Sequence, residues 1–311
     1  MAKLKSALHH WWPRCVSSHW AAKDGKTGWI TPDGNCRRVP PRHLGVLRNA
    51  HHIKLGDRGV STDWDSSFED EFDAADSQFP QVISWLEGLD RPDSPGPSSR
   101  QRFLPHAATD GELRALTECV VSLAVRSPMN REASVSAAEQ FRGPVGNPER
   151  DALIALNMRN SQRLIADSIG GNGKFAVLFS QGREFVFGDG FFHNVTGVVN
   201  PPLSPTIVAP ITPCISVIVS RPIAYMVEPR LSTIVLSEEE VDDCNYAIQV
   251  YARNALYFRN DQPVVEDAFA RGQHLRYSRP DNPMAELVRS IPGIPPRDTS
   301  FDHIFDQARR C

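Results

Sequence analysis

Six of the ten histidines, His9, His10, His19, His43, His51 and His52, lie within the first 52 residues of a 311-residue chain. Histidine titrates near neutral pH, so this clustering marks a place for acid and base work or for metal ligation. Two doublets stand out, His9-His10 in SALHHWWPRC and His51-His52 in NAHHIKLGDRG. Successive side chains of a strand point to opposite faces, so one ring of each doublet can face a common site. The expectation is His10 and His52, with Lys54 on the same face as His52 where that stretch is extended. The other ring of each pair would pack among Trp11, Trp12 and their neighbours.

A second candidate is REFVFGDGFFHNVTG, residues 183–197. An apolar strand ending in Gly188-Asp189-Gly190 delivers a carboxylate at the mouth of a sheet, and the flanking glycines let backbone or substrate come close. Asp189 and His193 could share a divalent cation with His10 or His52, because carboxylate oxygen with imidazole nitrogen suits zinc, manganese or iron. The competing reading is that Asp-Gly is simply a turn at the strand end.

In VRSPMNRE, Arg126 and Arg131 bracket a helix exit at Pro128. Two guanidinium groups there could clamp a phosphate or carboxylate, or could compensate the carbonyls of the helix C-terminus. The acidic run Glu69, Asp70, Glu71 and Asp73 reads as a solvated helix face, with metal binding as the alternative. Walker, G-x-G-x-x-G, G-x-S-x-G and H-E-x-x-H signatures are absent.

The elements that must position these residues can be read in outline. CVSSHWAAKDGKTGWITPDGNCRRVPP carries Asp-Gly turns between short apolar runs, which predicts a three-stranded β-meander, either a platform for the histidines or a structural add-on. Helical spacing of Trp64, Phe68, Phe72, Phe79, Val82, Ile83 and Leu86 predicts a helix capped by Thr62 or Asp63 and divided at Pro80. Residues 91–107, rich in Pro, Ser and Gly, read as a loop or a short linker. Two helices follow, TDGELRALTECVVSLAVRSP and one from Asn147, as cap, to Gly170. The period then becomes two in KFAVLFS, REFVFGD, TIVAPI and CISVIVS, an antiparallel sheet. A helix opened by a Ser237/Glu240 capping box comes after it and runs through NALYFR.

Composition sets the frame. With 41% hydrophobic and 23% charged residues the chain can build its own core, and a net charge of −3 gives no global footprint for a polyanion. The six cysteines are scattered without C-x-x-C spacing, no apolar run approaches a membrane span, and the N-terminus makes a poor signal sequence. A reduced, cytoplasmic protein without a membrane partner is the expectation.

HHWWPRCVSSHW, a helix ending VRSPMNR, the strand FVFGDGFF, PLSPTIVAPITP and the helix CNYAIQVYARNALY occur in that order. Over roughly residues 8–270 this set resembles the bacterial domain-of-unknown-function family four-two-three-eight. That family shows an H-x-V-P start, an R-T-P after a helix, a strand ending T-S-D-x-P, a P-L-S-P-like strand and a late helix with an Asn. The resemblance implies His10, Arg126, Asp189 and Asn245 as the matching positions. The T-S-D-x-P element is Phe187-Gly188-Asp189-Gly190-Phe191 here, losing the proline and keeping the Asp. It implies no activity.

The expected fold is α+β: an N-terminal β-meander, a helical middle and an antiparallel sheet covered by helices. One domain would span 1–275, with the meander and histidines in 1–58, helices in 60–170 and sheet plus helix in 174–260; 276–311 would be a partly irregular tail. The first functional expectation is a phosphodiester hydrolase, a nuclease of toxin or phage-defence type acting on RNA or DNA. In it His10 or His52 deprotonates the nucleophile, and Lys54 and Arg126 stabilise phosphoryl oxygens. Arg131 and Asn245 contact substrate, and Asp189, with His193, binds a metal or orients a histidine. The second is a non-enzymatic module for a ligand, a protein partner or a second copy of the chain. Convergence of His10, Asp189 and Arg126 on one cleft favours the first; separate burial of each in hydrogen bonds favours the second.

Overall fold

The computed structural model describes residues 8–48, 50–53, 65–95, 102–193, 204–275 and 283–294. In chain order the strands are β1 (Leu8–His10), β2 (Thr27–Ile30), β3 (Cys36–Val39), β4 (Val46–Arg48), β5 (His52–Ile53), β6 (Ser66–Ser67) and β7 (Leu104–His106). They continue with β8 (Lys174–Ser180), β9 (Phe187–Gly188), β10 (Thr206–Thr212), β11 (Ile215–Ser220), β12 (Leu231–Leu236) and β13 (Leu256–Phe258). The helices are α1 (Arg14–Ser17), α2 (Asp73–Glu87), α3 (Asp110–Arg126), α4 (Pro128–Arg142), α5 (Asn147–Ile169), α6 (Glu238–Tyr251), α7 (Asp267–Ala270) and α8 (Pro283–Ser290). This is an α+β fold.

The main sheet has the order β10-β11-β8-β12-β7, antiparallel at every step except β8/β12, which is parallel. Every residue of β8, β10, β11 and β12 is buried, because helices and loops cover both faces, so these strands are β-branched and apolar almost throughout. The second sheet, β3-β2-β13-β9, is fully antiparallel. Its hairpin turns at Pro32-Asp33-Gly34-Asn35, where Gly34 takes φ 78° and its amide donates to Thr31 O at 2.9 Å. The Asp33-Gly34 signal is thus realised as a hairpin, whereas Asp24-Gly25 turns the chain from the helical residues 14–20 into β2. No helix of the described residues is long and apolar enough to cross a membrane.

The tryptophans form an aromatic plug that anchors the histidine segment. Trp12 stacks on Phe187 with ring centroids 4.3 Å apart and planes 4° from parallel, and Trp20 meets both rings edge-on. Gly45, at φ 64°, passes so close that a Cβ there would stand 2.5 Å from the Trp12 Cβ. The Trp11 amide donates to Gly45 O at 2.8 Å, so β1 is held in one register against β4.

Several elements differ from the sequence reading for local reasons. Residues 14–20 are helical, so the N-terminal ribbon contributes the β2/β3 hairpin, and the third strand beside it is the distant β13. Helix α2 runs unbroken through Pro80. Proline removes the amide that would bond to Asp76 O; the Cys15 thiol approaches that carbonyl at 3.9 Å instead. Pro128 does not leave the chain irregular: Ser127 caps the Asn130 amide at 3.2 Å and α4 begins at the proline, the position where its missing N–H costs nothing. The caps at Thr109 and Ser237 both form complete boxes, with Glu112 and Glu240. At α5 the capping position is Gly146, one residue before Asn147. The expected cap at Thr62 or Asp63 lies outside the described residues.

Candidate functional site: a histidine nest

Two short ribbons bring four segments together. Pairing of β1 with β4 lays His9 opposite Leu47, just ahead of the turn that carries His51. Pairing of β5 with β6 sets His52 opposite Ser67, and the Phe68 amide donates to His51 O at 2.9 Å. The chain then enters a 3-10 turn, Glu69–Phe72, which places Glu69 beside the histidines. The result is a group of three metal-capable side chains, His9, His51 and Glu69, whose donor atoms all lie within 4.8 Å of one another. It is the only such group among the described residues.

His9, His51 and His52 are buried, whereas the Glu69 side chain is 39% exposed and forms the solvent edge of the nest. The His51 amide donates to His9 Nδ1 at 3.3 Å, and His9 Nε2 stands 3.7 Å from a Glu69 oxygen. The His52 ring packs edge-on against His9, with centroids 4.3 Å apart. His51 lies against Phe68 and Phe72, at 5.5 and 5.2 Å, and neither of its ring nitrogens has a hydrogen-bond partner. A buried polar group left in that state costs roughly 1–3 kcal/mol, so His51 is an arrangement that needs a use.

Burial and neighbouring positive charge lower the proton affinity of His51 and His9. Burial pushes His51 down to about 2, helped by the charge of Arg126 and by His9, Arg131 and His52. Burial, then the charge of Arg131, also lowers His9. A ring with so low a proton affinity is a poor general base at neutral pH, but it keeps a lone pair free to donate.

Arg126 and Arg131 flank the nest, and each makes bonds to other parts of the fold. Arg126 is buried, pairs with both Asp76 oxygens at 2.6 and 3.1 Å, donates to Ser122 O at 3.3 Å and lies 4.8 Å from the Phe72 ring centre. Arg131 donates to Ala50 O at 2.6 Å and so holds the turn that presents His51. The charges of both reach the site, while the Arg126 guanidinium is spent on Asp76 and Ser122 rather than open for a phosphate.

The remaining expected residues are placed elsewhere or used otherwise. His10 alternates out of the nest on β1, opposite Val46, so His9 is the ring of that doublet that enters. Lys54 lies outside the described residues. Asp189 is buried, and its carboxylate accepts from the amides of Arg253 and Asn254 and from Asn254 Nδ2, at 2.8–3.2 Å, tying the β9 end to the turn before β13. Burial raises its pKa, against the pull of those donors. Asp189 and His193 join no group of metal-capable donors among the described residues. Asn245 accepts from the Val186 amide at 2.8 Å and donates to Glu184 O at 3.0 Å, a strap between α6 and the main-chain run before β9.

His10, Asp189 and Arg126 therefore do not share a hydrogen-bonded constellation; Asp189 and Arg126 are each spent on separate structural bonds. The residues that do converge are His9, His51, His52 and Glu69. Their signals were the doublets themselves and the acidic run, while the strand phase that selects His9 over His10 depends on the β1/β4 register. No protein-family model, curated protein or solved structure matches this chain.

Proposed function

We propose that the chain is a phosphodiester hydrolase of nuclease type, with its reaction centre at the histidine nest. The observation that carries the reading is the convergence of three buried imidazoles and one solvent-edge carboxylate from three separate segments, His9, His51-His52 and Glu69. In such a cluster the solvent-edge Glu69 carboxylate can take the proton of an attacking water, while the imidazole lone pairs line the position that the water would occupy. Hydrolysis adds that water to phosphorus and breaks the P–O ester bond; one water proton is lost and the leaving oxygen gains one. The positive charges of Arg126 and Arg131 behind the nest favour the approach of a phosphate through their field rather than by contact. In this reading Arg126, Asp189 and Asn245, three of the four positions that the resemblance to family four-two-three-eight implies, the fourth being His10, are the frame of the site. The substrate would be RNA or DNA met in the cytoplasm.

The test is cleavage of RNA and DNA panels by the full chain, beside His51→Ala and Glu69→Ala, with and without chelator. The reading expects cleavage by the wild type and a loss of about a hundredfold or more in both variants at unchanged secondary structure. A second reading, a non-enzymatic binding module, is favoured by the structural bonding of Asp189 and Arg126. Inertness of the wild type across all substrates and divalent ions would select it.

A further inference from the structure

The geometry points to a transition-metal centre formed by His9, His51 and Glu69, with His52 packed behind it. This deepens the hydrolase reading, because a bound ion would activate the water, but the centre itself rests on separate observations. Two imidazole nitrogens and one carboxylate are the donor set of catalytic zinc and of non-haem iron sites, which keep positions open for water or substrate. Magnesium and calcium prefer all-oxygen shells, so the expected ions are zinc, manganese or iron.

Donors of one ion at about 2.1 Å stand about 3.0–3.4 Å apart. The three donor atoms here lie within 4.8 Å, and the His9–Glu69 pair is already at 3.7 Å, so ring and carboxylate rotations close the remainder. His51 supplies the independent sign of a ligand: it is 2% exposed, both ring nitrogens lack a hydrogen-bond partner, and it offers one of the clustered donor atoms.

A cation here meets the positive field of Arg126 and Arg131, which the neighbouring carboxylates reduce. Arg126 is paired with Asp76, and Arg131 feels Asp151 and Glu132, which leaves Glu69 to meet the ion. Glu69, at the exposed edge, also puts the open coordination positions on the solvent side. A water there would be acidified by the ion and need no histidine base.

The experiment uses the full-length chain, stripped with chelator, dialysed and titrated with Zn²⁺ and Co²⁺, with bound metal quantified and the Co²⁺ absorption spectrum recorded. One equivalent should bind, with a ligand-field band from mixed nitrogen and oxygen donors. His51→Ala and Glu69→Ala should each weaken binding at least tenfold to a hundredfold, the range that outer-shell partners alone already command. If His51→Ala fails to fold, Glu69→Ala at the exposed edge decides alone. Absence of a stoichiometric ion, or binding unchanged by these substitutions, overturns the centre. Stoichiometric binding with no cleavage of any nucleic acid would keep the centre and overturn the hydrolase. Cleavage that persists in ion-free protein yet vanishes in His51→Ala would do the reverse.

Discussion

The backbone amide of His51 donates to the ring Nδ1 of His9 across 3.3 Å, joining residues 42 positions apart. A neutral imidazole has one N–H, so this contact leaves the proton on Nε2, facing Glu69. It makes the turn of one histidine doublet the orienting partner of the other.

Metal ligation at Nε2 would reverse that tautomer and give up the long contact from the His51 amide. Long-range nitrogen–proton NMR should therefore show His9 protonated at Nε2 in the ion-free protein and at Nδ1 after addition of Zn²⁺. An unchanged His9 tautomer in zinc-saturated protein would exclude Nε2 as a ligand atom.

The ion pair under the nest should be stabilising in proportion to the burial of one partner. Arg126 is 1% exposed and Asp76 40%, so removing the carboxylate strands a buried cation that keeps only Ser122 O and the Phe72 ring. Breaking a wholly buried pair costs about 3–5 kcal/mol. With the Asp76 side already solvated, Asp76→Ala should cost about 2 kcal/mol in urea unfolding. A loss below about 0.5 kcal/mol would mean that Arg126 needs no counter-charge.

Asp189 should behave as an architectural residue. Its carboxylate gathers donors from Arg253 and Asn254, so Asp189→Ala should destabilise the fold by about 2–4 kcal/mol and leave metal stoichiometry unchanged. Loss of the ion at intact stability would return Asp189 to the metal centre.

Stability should fall on the acid side through His193. Burial, with the charge of His274, pushes this ring down to about 3, while the unfolded chain titrates near the ordinary value of 6.5. Below pH 6.5 the unfolded state binds the extra proton, so stability is full above that pH. It declines as pH falls towards 3, by up to about 1.4 kcal/mol per pH unit. Replacing His193 by Phe should make that decline shallower between pH 6 and 4 by up to about 1.4 kcal/mol per pH unit, leaving the share that His51 and His9 contribute, read by urea unfolding at each pH. An equally steep slope in the variant would show that His193 is not its source.

What could be read from the sequence followed from local chemistry. KFAVLFS became β8 residue for residue, and the Ser237/Glu240 and Thr109/Glu112 patterns became complete capping boxes, because each signal is satisfied within a few residues. Pro128 carried two meanings, stop and start, and only the Ser127 cap decides for the second. β12, whose LSTIVL pairs parallel with β8, and β13, read as the end of α6, are strands because of partners far away in sequence.

The site shows the same division. That one ring of the first doublet faces a shared site followed from strand geometry, but which ring followed from the pairing of His9 with Leu47. At the second doublet His51 sits in a turn, so alternation does not separate it from His52 and both are buried. Glu69 lay in a run of acidic residues that composition alone describes as a solvated face. Only the fold of β5 on β6 singles it out.

The most direct test of the nest as the functional centre is an anomalous difference map at the zinc absorption edge, from crystals of the full chain grown with Zn²⁺. The account predicts a peak bounded by His9, His51 and Glu69, about 2.1 Å from each donor atom. A fully metal-loaded crystal with no peak there, or with its peak at Asp189 and His193, would contradict it.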